Sequence, residues 1–280
     1  MDLTMTDKAF ITFVVPCYNQ ANFLDEALLT VQNQTYTNWE CIIVNDGSTD
    51  NTKAIAQIWL EKDDRFKYLE KENGGLSSAR NAGIKLCKTE YVFPFDADDK
   101  LHEDYLKKAV SILSDNKKIE VLTAKVQLFG TKNNILELPE YSFKRLLTRN
   151  CFIACSIYKK ETFDRVGGYD ENLKSFEDWD FWISALQNGG EHYQIDKVLY
   201  YYRKHEDHSL SNRFYKDKDF YESLYDYVYK KHIDLYDKYY PNFILLYNDY
   251  LLLEEFNKKA KNNFIFKTYH KLRTLFKSQN

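Results

Sequence analysis

Over the first 113 residues, short apolar runs alternate with stretches whose apolar side chains recur every third or fourth position, a pattern few folds accept. Residues 11–15, 41–44, 66–69 and 91–95 are strand-like. Residues 23–31 read as a helix with Leu24, Ala27, Leu28 and Val31 on one face. Further helices are expected up to Trp59, after a cap at Thr49 or Asp50, and over residues 77–86 and 105–113. Runs without polar alternation are strands buried on both faces. The repeat therefore predicts an α/β fold, a mostly parallel sheet covered by helices on both sides. Pro94 has no N–H to donate, so the pairing of the fourth strand is expected to fade there.

Ligands of such sheets bind beyond the carboxyl ends of the strands. Each segment in that position carries polar residues. They are Pro16-Cys17-Tyr18-Asn19, Asp46 in a turn with Gly47, Asn73-Gly74-Gly75, and Asp96-Ala97-Asp98-Asp99. Three carboxylates within four residues repel one another unless a cation sits among them, and a hard divalent ion with oxygen ligands is the usual partner. The competing reading is a solvated acidic turn in which Asp99 caps the following helix. Asp46 equally suits a plain turn former, and Arg80 a surface residue of its helix. Gly74-Gly75 lacks the Lys-Ser/Thr of a P-loop and the third glycine of a dinucleotide fold; its expected task is to let the chain pass close to a ligand.

The remainder is less regular. Residues 119–129 read as extended, with Asn133-Asn134 turning into a hairpin strand over 135–138. Helical pieces are expected near 143–147, 160–166 and 177–187, a strand over 193–202, and Tyr- and Lys-rich helices beyond Arg213. The ten tyrosines from Tyr215 to Tyr250 recur at helical spacing and are expected to serve as packing contacts without a binding role. A net charge of −3 gives no reason to expect nucleic acid as a partner. Five scattered cysteines without accompanying histidine pairs argue for reduced, buried thiols rather than zinc. With no signal peptide and no spanning run in view, a cytoplasmic protein is expected. Seven Lys/Arg and no acid follow Glu255, and residues 263–280 form a basic amphipathic pattern. It suits either the inner membrane surface or packing of a terminal helix on the domain.

The ordered motifs Val14-Val15-Pro16-Cys17-Tyr18-Asn19, Val44-Asn45-Asp46-Gly47-Ser48, Asn73-Gly74-Gly75-Leu76-Ser77-Ser78-Ala79-Arg80-Asn81 and Phe95-Asp96-Ala97-Asp98-Asp99 resemble those of the family-2 glycosyltransferases. Gly167-Gly168-Tyr169-Asp170, Glu177-Asp178-Trp179-Asp180 and Tyr202-Arg203-Lys204-His205 continue the resemblance to about residue 212. It implies a GT-A fold over residues 1–212. A Rossmann-like nucleotide-binding half with a mixed sheet (10–100) would precede an acceptor half (101–212), with a helical extension over 213–280. It implies a nucleotide-sugar donor of the UDP-sugar kind and a glycan or lipid-linked acceptor; an oligomer stays open. Pro16, Tyr18, Asn19, Asp46, Asn73, Gly74 and Arg80 would surround the nucleotide. Asp96, Ala97 and Asp98 would meet the ribose and a Mn²⁺ or Mg²⁺ ion, with Asp98 as ligand.

His205 or His208 would complete the metal or pyrophosphate site, with Arg203 adding positive charge and Ser209 nearby. Ser209 and Ser211 lie one residue further on than that pattern expects. Asp178 is the implied catalytic base beside Glu177, and Asp180 the next candidate. Ser175 and Asp178 also match a helix capping box, a role compatible with reaching a cleft. Two other readings compete with transfer. A sugar-phosphate nucleotidyltransferase wants a glycine-rich basic loop where Pro16-Cys17-Tyr18-Asn19 stands. A silent binding or scaffold protein has no need of Asp98, Asp178 and a histidine together.

Overall fold

The computed structural model describes residues 10–205 and 217–262. The expected alternation forms the first half. Strands β1 (Ile11–Cys17), β2 (Trp39–Asp46), β3 (Phe66–Lys71) and β4 (Tyr91–Pro94) are separated by helices α1 (Ala21–Gln32), α2 (Thr52–Lys62) and α3 (Leu76–Leu86). β1 pairs in parallel with β2 and β4, and β2 with β3. Every residue of β1 and β4 is buried, as strands covered on both faces must be. Leu24, Ala27, Leu28 and Val31 are the buried face of α1.

The second half adds β5 (Lys100–Leu101), α4 (Tyr105–Asp115), β6 (Ile119–Gly130), α5 (Phe143–Leu146), β7 (Ile157–Lys159), α6 (Lys160–Val166), α7 (Glu177–Leu186) and β8 (Glu191–Lys204). One eight-stranded sheet runs β3-β2-β1-β4-β7-β6-β8-β5. It is mixed, because β7 lies antiparallel to both β4 and β6. Pairing of β4 with β7 stops at Val92, while its other edge stays on β1 as far as Pro94. The ladder thus fades on one side only, and the Asp96–Asp99 segment leaves the sheet there.

The predicted hairpin of β6 shrinks to a single antiparallel bridge, Gln127 with Ile135. β6 instead spends its length on β8, in parallel from Ile119 to Gly130. β5 and β7 are too short to leave a periodic trace in the sequence.

By its contacts the chain divides into two compact units, one through Val228 and one from Tyr229. Helix α8 (Lys218–Lys231) crosses that boundary, and α9 (Ile233–Tyr239) and α10 (Phe243–Asn262) follow. No helix among the described residues is long and apolar enough to cross a membrane. The basic segment 263–280 lies outside the described residues.

Gly83 sets how closely α3 sits on the sheet. A Cβ there would come 2.5 Å from Val14 Cγ1 and 2.7 Å from Val44 Cγ2. Gly83→Ala should therefore lower stability by about 1–3 kcal/mol, read as a reduced urea midpoint with unchanged m-value.

Candidate active site

Three loops meet at the carboxyl end of the parallel strands. Asn19 adopts a left-handed conformation (φ 54°), tolerable for Asn, and its Oδ1 accepts from the Thr49 backbone N–H at 2.8 Å. Its own N–H donates to Ser48 Oγ, so the loops after β1 and β2 are tied together. Gly47 (φ 73°) lies so close to the third loop that a Cβ would be 2.8 Å from the Asn73 nitrogen. Asp46 is more than a turn former. Its buried carboxylate accepts from Lys71 Nζ (2.6 Å) and from the N–H groups of Gly74 (3.0 Å) and Gly75 (2.8 Å). It thereby fixes the course of the Gly-Gly loop, with Gly75 at φ 88°.

Arg80 corrects the surface alternative. It is 1% exposed on α3 and forks between two carboxylates, donating to Glu177 Oε1 at 2.8 Å and Asp96 Oδ1 at 3.0 Å. This planar guanidinium ties the acidic segment after β4 to the start of α7, which begins 97 residues beyond Arg80 in the chain.

Asp99 does not cap α4, whose N-cap is Asp104. It is buried, accepting from Tyr200 Oη at 2.6 Å and the Arg203 N–H at 2.7 Å, which clamps the acidic segment to β8. Burial, then the neighbouring Asp98 and Asp96, pushes its carboxyl well above the usual range. Asp98 is also raised, by burial and then by Asp96. Its Oδ2 lies 2.8 Å from His205 Nε2. Arg203 donates from Nε to the Asp98 carbonyl at 2.7 Å and pairs with Glu26, so its charge is shared with a carboxylate of α1. His208 and Ser209 lie outside the described residues.

The capping box at α7 does not form. Ser175 makes no cap bond; the N-cap is Phe176, held at φ 65° with no side-chain cap bond either. Asp178 therefore does not close a capping box with Ser175. Its Oδ2 accepts from Asn150 Nδ2 at 2.9 Å and its Oδ1 from the Trp179 N–H at 2.8 Å. Burial, then the adjacent Glu177 charge, raises its pKa to about 7, against the opposing pull of Arg80. Trp179 anchors the turn by donating from Nε1 to the Leu146 carbonyl at 2.6 Å. Asp180, the next candidate, is 1% exposed and does not line the cavity that holds Asp178.

One cavity of about 880 Å³ takes in Gly74, Arg80, Asp96, Asp98, Glu177, Asp178, Arg203 and His205. Pro16, Tyr18, Asn19, Asp46, Asn73 and Ala97 do not line it. Pro16 and Ala97 are buried in the framework, and Tyr18 is exposed beside the rim residue Gln20. Asn150, Phe176, Tyr200, Tyr221 and Tyr225 also line it, none of them foreseen. Alternation along β8 carried a signal for Tyr200 and Tyr202, which share a face; Asn150 left none.

The donor set suits a divalent cation. Burial first, and then the crowding of Asp96 against Asp98 and of both against Asp99, raises the proton affinity of Asp98 and Asp99, and a cation among them would relieve the crowding. Carboxylate oxygens with one imidazole match Mn²⁺ or Mg²⁺. Ligand atoms of Asp96, Asp99 and Cys155 also lie within 4.8 Å of one another. That grouping is the poorer one, since both Asp99 oxygens are already bonded and burial holds Cys155 as a neutral thiol.

A mixed sheet with two acidic segments facing one cleft is the arrangement of GT-A glycosyltransferases. Residues 12–167 match the family described as Glycosyl transferase family 2, and the chain belongs to that family. An uncharacterized glycosyltransferase of Rickettsia typhi is 32% identical over 239 residues, 81% of this chain and 73% of that one. Residues 1–349 of TarS from S. aureus, solved with UDP-GlcNAc, superpose with a TM-score of 0.66 at 26% identity, covering 76% of this chain and 64% of that one. The mannosyltransferase PcManGT of Pyrobaculum calidifontis, solved with GDP-Man and Mn²⁺, shares the fold at a TM-score of 0.54 and 19% identity, covering 69% of this chain and 56% of that one.

Proposed function

We propose that this glycosyltransferase moves a sugar, with inversion, from a UDP-sugar to a hydroxyl of a growing polysaccharide or lipid-linked oligosaccharide. The observation that carries the reading is Asp178, a carboxylate of raised proton affinity. It lines the same cavity as Asp96, Asp98 and His205 and is joined to Asp96 through Glu177 and Arg80. UDP-GlcNAc in TarS supports the choice of donor class.

Asp98 and His205 would hold a Mn²⁺ or Mg²⁺ ion, with Asp96 beside them. When bound, such an ion supplies positive charge against the departing diphosphate. Asp178 accepts the proton of the acceptor hydroxyl as that oxygen bonds to the anomeric carbon. The bond from that carbon to the phosphate oxygen breaks, and its electron pair leaves with UDP. Asn150 and the Trp179 N–H orient the carboxylate. Arg80 holds the two acidic segments in register, and the Asp46-anchored loop lets backbone approach the nucleotide.

The testing experiment is a panel of UDP-, GDP- and dTDP-sugars with Mn²⁺, scored for release of nucleoside diphosphate and for thermal stabilisation. A UDP-sugar should stabilise the protein and turn over; stabilisation by none of the panel would sink the donor reading. A base must be ionised to act. With Asp178 titrating near 7, kcat/KM should fall about tenfold per pH unit below that value and level off above it. A profile flat down to about pH 5 would assign the base elsewhere.

A further inference from the structure

Phe176 is one of only two non-glycine residues at positive φ among the described residues, and a bulky side chain adopts that conformation at a cost. The turn it makes separates three neighbours. Glu177 goes to Arg80 and Asp178 enters the cavity. The Phe176 ring packs edge-on against Tyr221 and Tyr225, at centroid distances of 5.6 and 5.0 Å. Tyr225 also meets Trp179 at 5.4 Å, and the two tyrosine hydroxyls are 3.0 Å apart. Phe176, Tyr221 and Tyr225 all line the cavity that holds Asp178, and Tyr225 remains 39% exposed.

Packing alone would bury such rings. A cluster held together by its edges, with aromatic surface left open beside the base, is shaped for a ligand having an apolar face and a polar rim. A pyranose ring is such a ligand: its C–H face covers an aromatic ring while its hydroxyls reach Tyr hydroxyls and water. We propose that the acceptor is a glycan whose terminal pyranose stacks on the Phe176–Tyr221–Tyr225 cluster, presenting its hydroxyl to Asp178. This rests on the glycosyl transfer proposed above. Phe176 and α8 lie beyond residues 12–167, so the cluster belongs to the part of the chain that the family match does not reach.

The test is saturation-transfer NMR with methyl pyranosides, and with linear alditols as ringless controls, in the presence of UDP and Mn²⁺. Pyranosides should bind through their ring C–H protons and alditols should not. Tyr225→Ala should weaken pyranoside binding roughly three- to tenfold, with UDP affinity unchanged. Tyr225→Phe should retain binding; Tyr225→Leu, which refills the space without a flat ring, should lose it as Ala does and covers the case in which Tyr225→Ala does not fold. Equal pyranoside binding by wild type and the Ala and Leu variants would overturn the proposal. So would a protein that binds UDP and no pyranoside. A protein that fails to bind UDP defeats the UDP-sugar donor proposed above and not the stacking site, which is then read with the nucleoside diphosphate that the donor panel selects.

Discussion

Asp178→Asn should reduce sugar transfer by roughly a hundred- to ten-thousandfold while the affinity for UDP stays unchanged. The substitution keeps the size of the side chain, and its carbonyl can still accept from Asn150 or the Trp179 N–H. What disappears is the capacity to take a proton from the attacking hydroxyl. The variant should also be more stable than wild type, and increasingly so as pH rises. In the folded protein Asp178 binds its proton more tightly than the unfolded value of 3.8 allows. The folded state therefore carries more protons between that value and about 7, and wild type loses stability on the way up through this window. An amide has no such loss. Thermal melts at about pH 5 and about pH 8 should show the gap widening at the higher pH. Undiminished transfer would remove Asp178 as base. A gap that narrows with pH would contradict its environment.

Much of this site was legible because ligand loops of a parallel sheet follow strands, and the strands could be read. The Asp96–Asp99 cluster and the Gly-Gly loop were found that way. What could not be read was how the polar residues pair with one another. Ser77, Arg80, Asn81 and Ile84 recur at the spacing of a buried helix face, yet three of the four are polar, so a hydrophobicity pattern assigns that face to solvent. Their burial depends on Asp96, Glu177 and the Tyr169 carbonyl, which are distant in sequence. Asp99 was misjudged for the same reason, its partners Tyr200 and Arg203 being about a hundred residues away. The false capping box shows the opposite error. Ser175 and Asp178 have the right spacing, but the backbone at Phe176 turns left-handed and the local motif is overridden by packing around the cavity.

That pairing makes Arg80→Leu the most damaging single change to the framework. Removing one cation strands two carboxylates, Asp96 at 28% and Glu177 at 12% side-chain exposure. Breaking a buried ion pair by deleting one partner costs about 3–5 kcal/mol, largely because the remaining charge is left uncompensated. Urea denaturation should report a loss of that order, and transfer should fall with it. Arg80→Lys should not rescue. One ammonium cannot reproduce the fork that reaches Asp96 and Glu177 from separate nitrogens. The decisive control is the triple variant Arg80→Leu, Asp96→Asn, Glu177→Gln. If stranded charge is the cause, neutralising both carboxylates should recover most of the stability. Transfer should remain lost, because nothing then holds the acidic segment after β4 in register with Asp178. Recovery of both would mean that Arg80 serves only to balance charge. Recovery of neither would mean that its packing against the core, and not its ion pairs, supports this side of the cleft.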